Sequence, residues 1–306
     1  MEAAPLALCG APDGGRAVWL MAADGVRLRL AVWPGPRPVL ILPGRTEYIE
    51  KYGLVVADLA RAGRGALVLD WRGQGLSDRL VADPEKGHVA RFSDYQADLD
   101  ACLAAAAELA PGPLPWLAHS MGGCIALRGL IRGLTPPAVT FSAPMLGLSQ
   151  PPALQKLMAT LGALAGPLGL DTGYTPTTGP RFGLPSMSVE SNNLTTDPDQ
   201  FRRMKAQITD NDALSIGGPT LRWMAQSLAE MGALSRLPSP RIPALFGLGS
   251  EESIVDPVAI HDRVSRWPGA DLAQYPGARH ELLMERPQTR DAFIARALAL
   301  FDASGA

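Results

Sequence analysis

Two segments near the start, Arg16–Ala22 and Val26–Trp33, are rich in β-forming residues and flank Asp24-Gly25, a pair that favours a tight hairpin turn. Beyond them the pattern changes. Short, wholly apolar runs at Val39–Leu42, Ala66–Leu69, Trp116–Ala118 and Val139–Phe141 read as buried strands. Between them, Leu54–Arg61, the Ala-rich Tyr95–Leu109 and Cys124–Leu130 carry helical spacing, with Pro111 and Pro113 closing the second helix. The alternation resumes with a strand at Pro243–Leu248, a helix at Pro257–Trp267, a strand at Leu272–Tyr275 and a closing helix at Thr289–Phe301. Strands alternating with helices predict an α/β fold whose mostly parallel sheet is covered on both faces.

The stretch from Met145 to Leu237 differs. It is rich in Pro, Gly, Thr and Ser and carries helical apolar spacing without clear strands. It is expected to be a helical cap (145–237) inserted into a core formed by residues 1–144 and 238–306.

Composition narrows the class. Hydrophobic residues make up 47% of the 306 and charged residues 19%, as in a globular protein with a sizeable core. Lys and Arg number 28 against 30 Asp and Glu, a net charge of −2, with no basic stripe, which argues against nucleic-acid binding. Cys9, Cys102 and Cys124 are far apart and form no C-x-x-C, so neither a zinc site nor a redox pair is expected. Free thiols and a start without a basic, then apolar, leader point to the cytoplasm. Ala153–Leu170 is apolar, but Gln155, Lys156, Gly162, Gly166, Pro167 and Gly169 interrupt it, so a cap helix is expected there rather than a membrane span.

The chemistry centres on Ala118-His119-Ser120-Met121-Gly122-Gly123, between a predicted strand and a predicted helix. That context is the one a nucleophile elbow requires: the turn is sharp, and the residues two positions either side of the nucleophile must be small. Gly122 meets the requirement, and Ala118 stands where glycine is usual. A serine hydroxyl needs a base, and the base an orienting acid. The chain order in this fold is serine, acid, histidine. Of His88, His119, His261 and His280, the first precedes the nucleophile, the second projects away from it in an elbow, and the third falls on a solvated helix face. His280, in a loop after the last strand, fits the order. For the acid, Glu252 follows the Pro243–Leu248 strand in the expected place, and Asp256 and Glu251 remain as alternatives. Asp256 precedes Pro257 and also reads as a helix N-cap. Oxyanion donors are expected from the backbone N–H groups of Met121 and of Arg45, in the loop after Val39–Leu42, where Gly44 permits a tight turn beside the substrate. Such chemistry calls for no metal or organic cofactor.

These residues resemble the lysophospholipase and monoacylglycerol-lipase branch of the α/β-hydrolases, a serine aminopeptidase-like group. Pro43-Gly44-Arg45-Thr46-Glu47 is similar to that branch's H-G-x-x-E loop, with Pro43 in place of His, and Asp70–Ser77 to its D-x-x-G-x-G-x-S segment. The elbow and the Glu252/His280 region complete the likeness, with Glu252 where Asp is usual. Asn193–Asp197 and Gly217–Thr220 look like the cap of bacterial lysophospholipases. The resemblance covers Gly25 to Phe301. It implies an α/β-hydrolase fold and a serine hydrolase that cleaves esters of lipid-like substrates, lysophospholipids or monoacylglycerols among them. Asp70–Ser77 is expected to shape a loop beside the site rather than to react. A stripe of Leu154, Leu157, Met158, Leu161 and Leu164, with Met204, Trp223 and Met224, suits an acyl chain, and Leu157 and Leu161 are the candidates to touch it; packing on the main domain is the alternative use. Two other functions remain open: amide or peptide cleavage by the same triad, as in prolyl aminopeptidase-like relatives, and a non-catalytic binding protein. Transient contact with a membrane surface and the oligomeric state are left open.

Overall fold

The computed structural model describes residues 1–306. Its nine strands form one sheet in the order β1-β2-β3-β5-β4-β6-β7-β8-β9. The strands are β1 (Ala3–Ala4), β2 (Arg16–Met21), β3 (Arg27–Trp33), β4 (Val39–Leu42), β5 (Ala66–Asp70), β6 (Trp116–His119), β7 (Val139–Ser142), β8 (Ala244–Gly249) and β9 (Ala270–Tyr275). β2 and β3 are the hairpin expected around Asp24-Gly25, with Gly25 at φ 84, a left-handed conformation that glycine adopts without strain. β3 joins β5 antiparallel, and every pairing from β5 through β4, β6, β7 and β8 to β9 is parallel. β1 is an addition: two alanines carry no apolar alternation from which a strand could be read.

Why the sheet is covered on both faces follows from the period of two along each strand. Leu40 and Leu42 of β4, with Leu67 and Leu69 of β5, pack into the cluster that holds Tyr95, Leu99 and Cys102 of α2 (Asp94–Leu109) and Cys124 and Ile125 of α3 (Met121–Ile131). Val39 and Ile41, with Ala66 and Val68, turn the other way. They meet Val55, Val56 and Leu59 of α1 (Gly53–Arg61), and Phe293, Ile294 and Phe301 belong to the same cluster from the C-terminal helix (Pro287–Ala303). Each fully buried Leu, Ile, Val or Phe contributes about 1.5–3 kcal/mol relative to exposure, so this double coverage is the fold's main source of stability.

No strand lies between Ser142 and Ala244. That segment forms α4 (Pro152–Ala165), α5 (Pro198–Asp210) and α6 (Leu221–Arg236) with short turns between them. α7 (Pro257–Ser265) and α8, the C-terminal helix, follow β8 and β9. The inserted segment meets the loop after β5 through backbone bonds: Gly217 N–H donates to the Glu85 carbonyl at 2.6 Å and Thr220 N–H to the Gly87 carbonyl at 2.9 Å. No helix is long and apolar enough to cross a membrane.

Candidate active site

β6 delivers the chain into Ser120, which sits at φ 48, ψ −115, and α3 begins at the next residue. A non-glycine residue in such a conformation costs of order 1–3 kcal/mol and persists only where its surroundings fix it. Here Ser120 N–H donates to the Ser142 carbonyl at 3.0 Å, and the Ser120 carbonyl accepts from Gly123 and Met145 N–H, both at 2.9 Å. The small-residue requirement is visible at Gly122: a Cβ there would stand 2.1 Å from the Leu42 carbonyl oxygen. On the other side, Ala118 is buried in the sheet opposite Leu42 and Phe141, so a methyl group is accommodated where glycine is usual.

His280 arrives from the loop after β9, and Glu252 from the loop after β8. Glu252 Oε2 lies 2.7 Å from His280 Nδ1. Its Oε1 accepts from Ile254 N–H at 2.6 Å and Val255 N–H at 3.1 Å. Burial alone would raise the Glu252 carboxyl, but the imidazole and these two N–H groups override it and hold the pKa below the usual glutamate value. The group is therefore a carboxylate, able to accept the Nδ1 proton and leave Nε2 as the basic nitrogen.

The competing residues are engaged elsewhere. Asp256 caps α7, accepting from Val258 N–H at 2.9 Å. Glu251 is exposed and stands 3.8 Å from Arg279. His261 is exposed on α7 and meets Gln274, and His88 lies 3.0 Å from Thr220 Oγ1. His119 Nδ1 is 3.0 Å from the Ser142 carbonyl. The rings of His119 and His280 are 4.8 Å apart, so the residue beside Ser120 touches the histidine of the Glu252 pair, and all these groups share the carboxyl end of the parallel strands. The Ser120 hydroxyl makes no hydrogen bond here; catalytic hydrogen bonds commonly tighten only with substrate in place.

The loop after β4 closes against the serine. A Cβ on Gly44 would come within 3.1 Å of Ser120 Cβ and 3.0 Å of the His119 ring, so a larger residue would crowd the nucleophile. The Asp70–Ser77 segment braces this loop rather than reacting: Trp71 Nε1 donates to the Pro43 carbonyl at 2.8 Å, and Gln74 Nε2 to the Gly44 carbonyl at 2.7 Å. Asp70 itself is bound by Arg29 and by the N–H groups of Ile49 and Leu76. Arg45 N–H has no protein acceptor, and Met121 supplies the first N–H of α3, a position without an intrahelical partner.

Beneath the loop lies a buried cluster that the motif reading did not assign. Glu47 accepts from Gly44 N–H, from the Tyr52 hydroxyl at 2.6 Å and from Lys51 Nζ at 2.5 Å. Lys51 reaches Glu281, next to His280, at 2.8 Å. Burial would raise Glu47, but Lys51 first, then His119, hold it low; burial raises Glu281. Glu47, His119 and Glu281 have the spacing of metal ligands, and the Lys51 ammonium already supplies the cation between the two carboxylates. The signals were present as the glutamate of the H-G-x-x-E-like loop and a lysine four residues on; their partner Glu281 is 230 residues from Lys51, beyond any local pattern.

Of the stripe on α4 only Met158 packs into the core. Leu157 is 49% exposed and Leu164 65%, Leu161 is half-buried, and only Met158 is buried. The contact face of α4 is set instead by Met158 and Gly162: a Cβ on Gly162 would stand 2.6 Å from Ala225 Cβ of α6. That close approach turns Leu154, Leu157 and Leu164 outward. Met204, Trp223 and Met224 are buried.

Comparison with known proteins agrees with this geometry. The chain is 35% identical over 285 residues to lysophospholipase L2 of Escherichia coli K12, covering 87% of this chain and 80% of that protein. It is 29% identical over 259 residues to a probable lysophospholipase L2 of Haemophilus influenzae, covering 82% and 79%. Among solved structures, a soluble variant of monoglyceride lipase from Saccharomyces cerevisiae superposes with a TM-score of 0.74 at 17% identity, covering 98% of this chain and 99% of that one. The monoacylglycerol lipase of Paleococcus ferrophilus gives 0.70 at 18% identity, covering 90% and 98%. Likeness at those identities establishes the shared α/β-hydrolase fold. Residues 36–287 match the family described as serine aminopeptidase, S33, and the chain belongs to that family of α/β-hydrolases.

Proposed function

We propose that the protein is a carboxylic-ester hydrolase that cleaves lipid-like esters, lysophospholipids or monoacylglycerols, through an acyl-enzyme on Ser120. The observation that carries the reading is the strained Ser120 at the strand-to-helix turn, at the same carboxyl end of the strands as a carboxylate-bound imidazole 2.7 Å from Glu252. Ser120 Oγ attacks the ester carbonyl while His280 Nε2 takes its proton, and the N–H groups of Met121 and Arg45 stabilise the oxyanion. His280 then protonates the departing alkoxide. Water, deprotonated by the same nitrogen, releases the fatty acid and regenerates the serine. Glu252 holds the imidazole in the tautomer with Nε2 free and stabilises the cation formed in each half. Residues 145–237 serve as the cap over this site, and the protein works in the cytoplasm, where its three free cysteines stay reduced.

The test is labelling by a fluorophosphonate with hydrolysis of lysophosphatidylcholine and monoacylglycerol in parallel. Wild type should be labelled and active, and Ser120→Ala neither; labelling that persists in the variant would reject Ser120. The S33 family description favours one second reading, aminopeptidase activity by the same residues. Amino-acid nitroanilides against nitrophenyl esters separate the two.

A further inference from the structure

Arg45, on the loop that closes against Ser120, is a cation without a counter-ion. Its backbone follows Gly44, which packs against Ser120, and its side chain rises to meet the inserted segment. Nη2 donates to the Gly217 carbonyl at 2.7 Å, and the guanidinium carbon lies 5.0 Å from the Trp223 ring. The guanidinium also presses on the loop after β5, where a Cβ on Gly87 would come within 2.2 Å of Nη2. No carboxylate pairs with it. Nε is sealed from solvent with no acceptor, while Nη1 makes no hydrogen bond and is not enclosed. Burial lowers the group to about 10 from its ordinary value of 12.5. The other buried cations nearby are matched: Lys51 has Glu47 and Glu281, and Arg29 has Glu50 and Asp70.

A half-buried guanidinium with an enclosed, unpaired Nε and a free Nη1 gains from an anion that shares it, and its planar fork suits the oxygens of a phosphate. Its position matters equally: Arg45 adjoins Gly44, which packs against Ser120, so the guanidinium stands between the nucleophile's loop and the inserted segment. We infer that Arg45 binds the phosphodiester of a lysophospholipid headgroup and selects it over a neutral monoacylglycerol. This rests on the ester-hydrolase reading of Ser120 and specifies its substrate.

The experiment compares lysophosphatidylcholine, lysophosphatidylethanolamine and monoacylglycerol of one acyl chain, in one detergent, for wild type, Arg45→Met and Arg45→Lys. All three keep the backbone N–H, so the ratio of kcat/KM between substrates isolates the side chain. Arg45→Met should lower kcat/KM for both lysophospholipids about 10- to 100-fold more than for monoacylglycerol, chiefly through KM, with Arg45→Lys recovering part of the loss. An equal loss on all three substrates would make Arg45 a strap to the inserted segment and overturn the inference, as would no loss. Phosphorus NMR titration of glycerophosphocholine into Ser120→Ala protein, with and without Arg45→Met, gives an arm independent of turnover. Arg45-dependent binding supports the inference, and binding of inorganic phosphate without glycerophosphocholine overturns the headgroup assignment. Absence of both hydrolysis and fluorophosphonate labelling in wild type would sink the hydrolase reading while leaving the titration to judge Arg45.

Discussion

The carboxyl end of the central strands around Ser120 and the inserted segment between β7 and β8 are built under different constraints. At the strand ends each residue is fixed from several sides. Ser120 is held in a left-handed conformation by bonds to Ser142, Gly123 and Met145, Gly122 and Gly44 stand where a single methyl group would collide, and the carboxylates below are tied by Lys51. The insertion presents Leu154, Leu157, Leu164, Leu168, Leu170 and Phe182 as exposed apolar side chains. Only its inner positions, such as Met158, Gly162 and Trp223, are enclosed. A reacting centre demands placement to fractions of an ångström, whereas the outer face of an inserted helical segment has only to stay folded.

Four changes would sharpen or break that contrast. The largest effect is expected at the base: His280→Ala should lower kcat at least about a thousandfold without unfolding the protein, and retained turnover of a nitrophenyl ester would mean a different base. Next is the acid. Glu252→Gln should lower kcat about a hundredfold or more by losing the tautomer lock, whereas Asp256→Asn should leave kcat near wild type and cost at most about 1 kcal/mol at the α7 cap. The reverse ranking in steady-state assays would move the acid to Asp256.

The third effect is on stability. Burial lowers the His119 imidazole to about 4 from 6.5, with Glu47 opposing and His280 and Lys51 adding to the shift. The native ring stays neutral while the unfolded chain takes up a proton below 6.5, so this contribution is complete above pH 6.5 and is lost progressively as pH falls to about 4. The total is about 3 kcal/mol. Thermal unfolding of wild type should weaken over that window, and His119→Gln should flatten the dependence; parallel curves would place the titration elsewhere. The smallest effect belongs to the insertion: Leu157→Ser with Leu164→Ser should change stability by no more than about 0.5 kcal/mol for each site in denaturant titrations. A large loss would show that this face is covered in solution.

Much of the site was legible because its determinants are local. An elbow requires a strand, a small residue, a serine and a glycine within a few positions, and Ala118–Gly122 states that outright. His280 followed from chain order and its loop. Pattern favoured Glu252 and read Asp256 before Pro257 as a cap without excluding either; their partners are His280 and the α7 N-terminus. Which way the α4 stripe faces was hidden for a related reason. Periodicity identifies an apolar face but not its neighbour, and the small Gly162, silent in any hydrophobicity pattern, sets which side approaches α6.

By itself, then, the sequence determined the alternation of strands and helices, the hairpin at Asp24-Gly25 and the identity of the bend at Ser120, all of which follow from backbone sterics and spacing within a few residues. Tertiary structure alone decided that Lys51 bridges Glu47 and Glu281 and that Arg45 is left without a counter-ion. Charge pairing depends on distances between segments far apart in the chain, and those distances exist only once the sheet has closed.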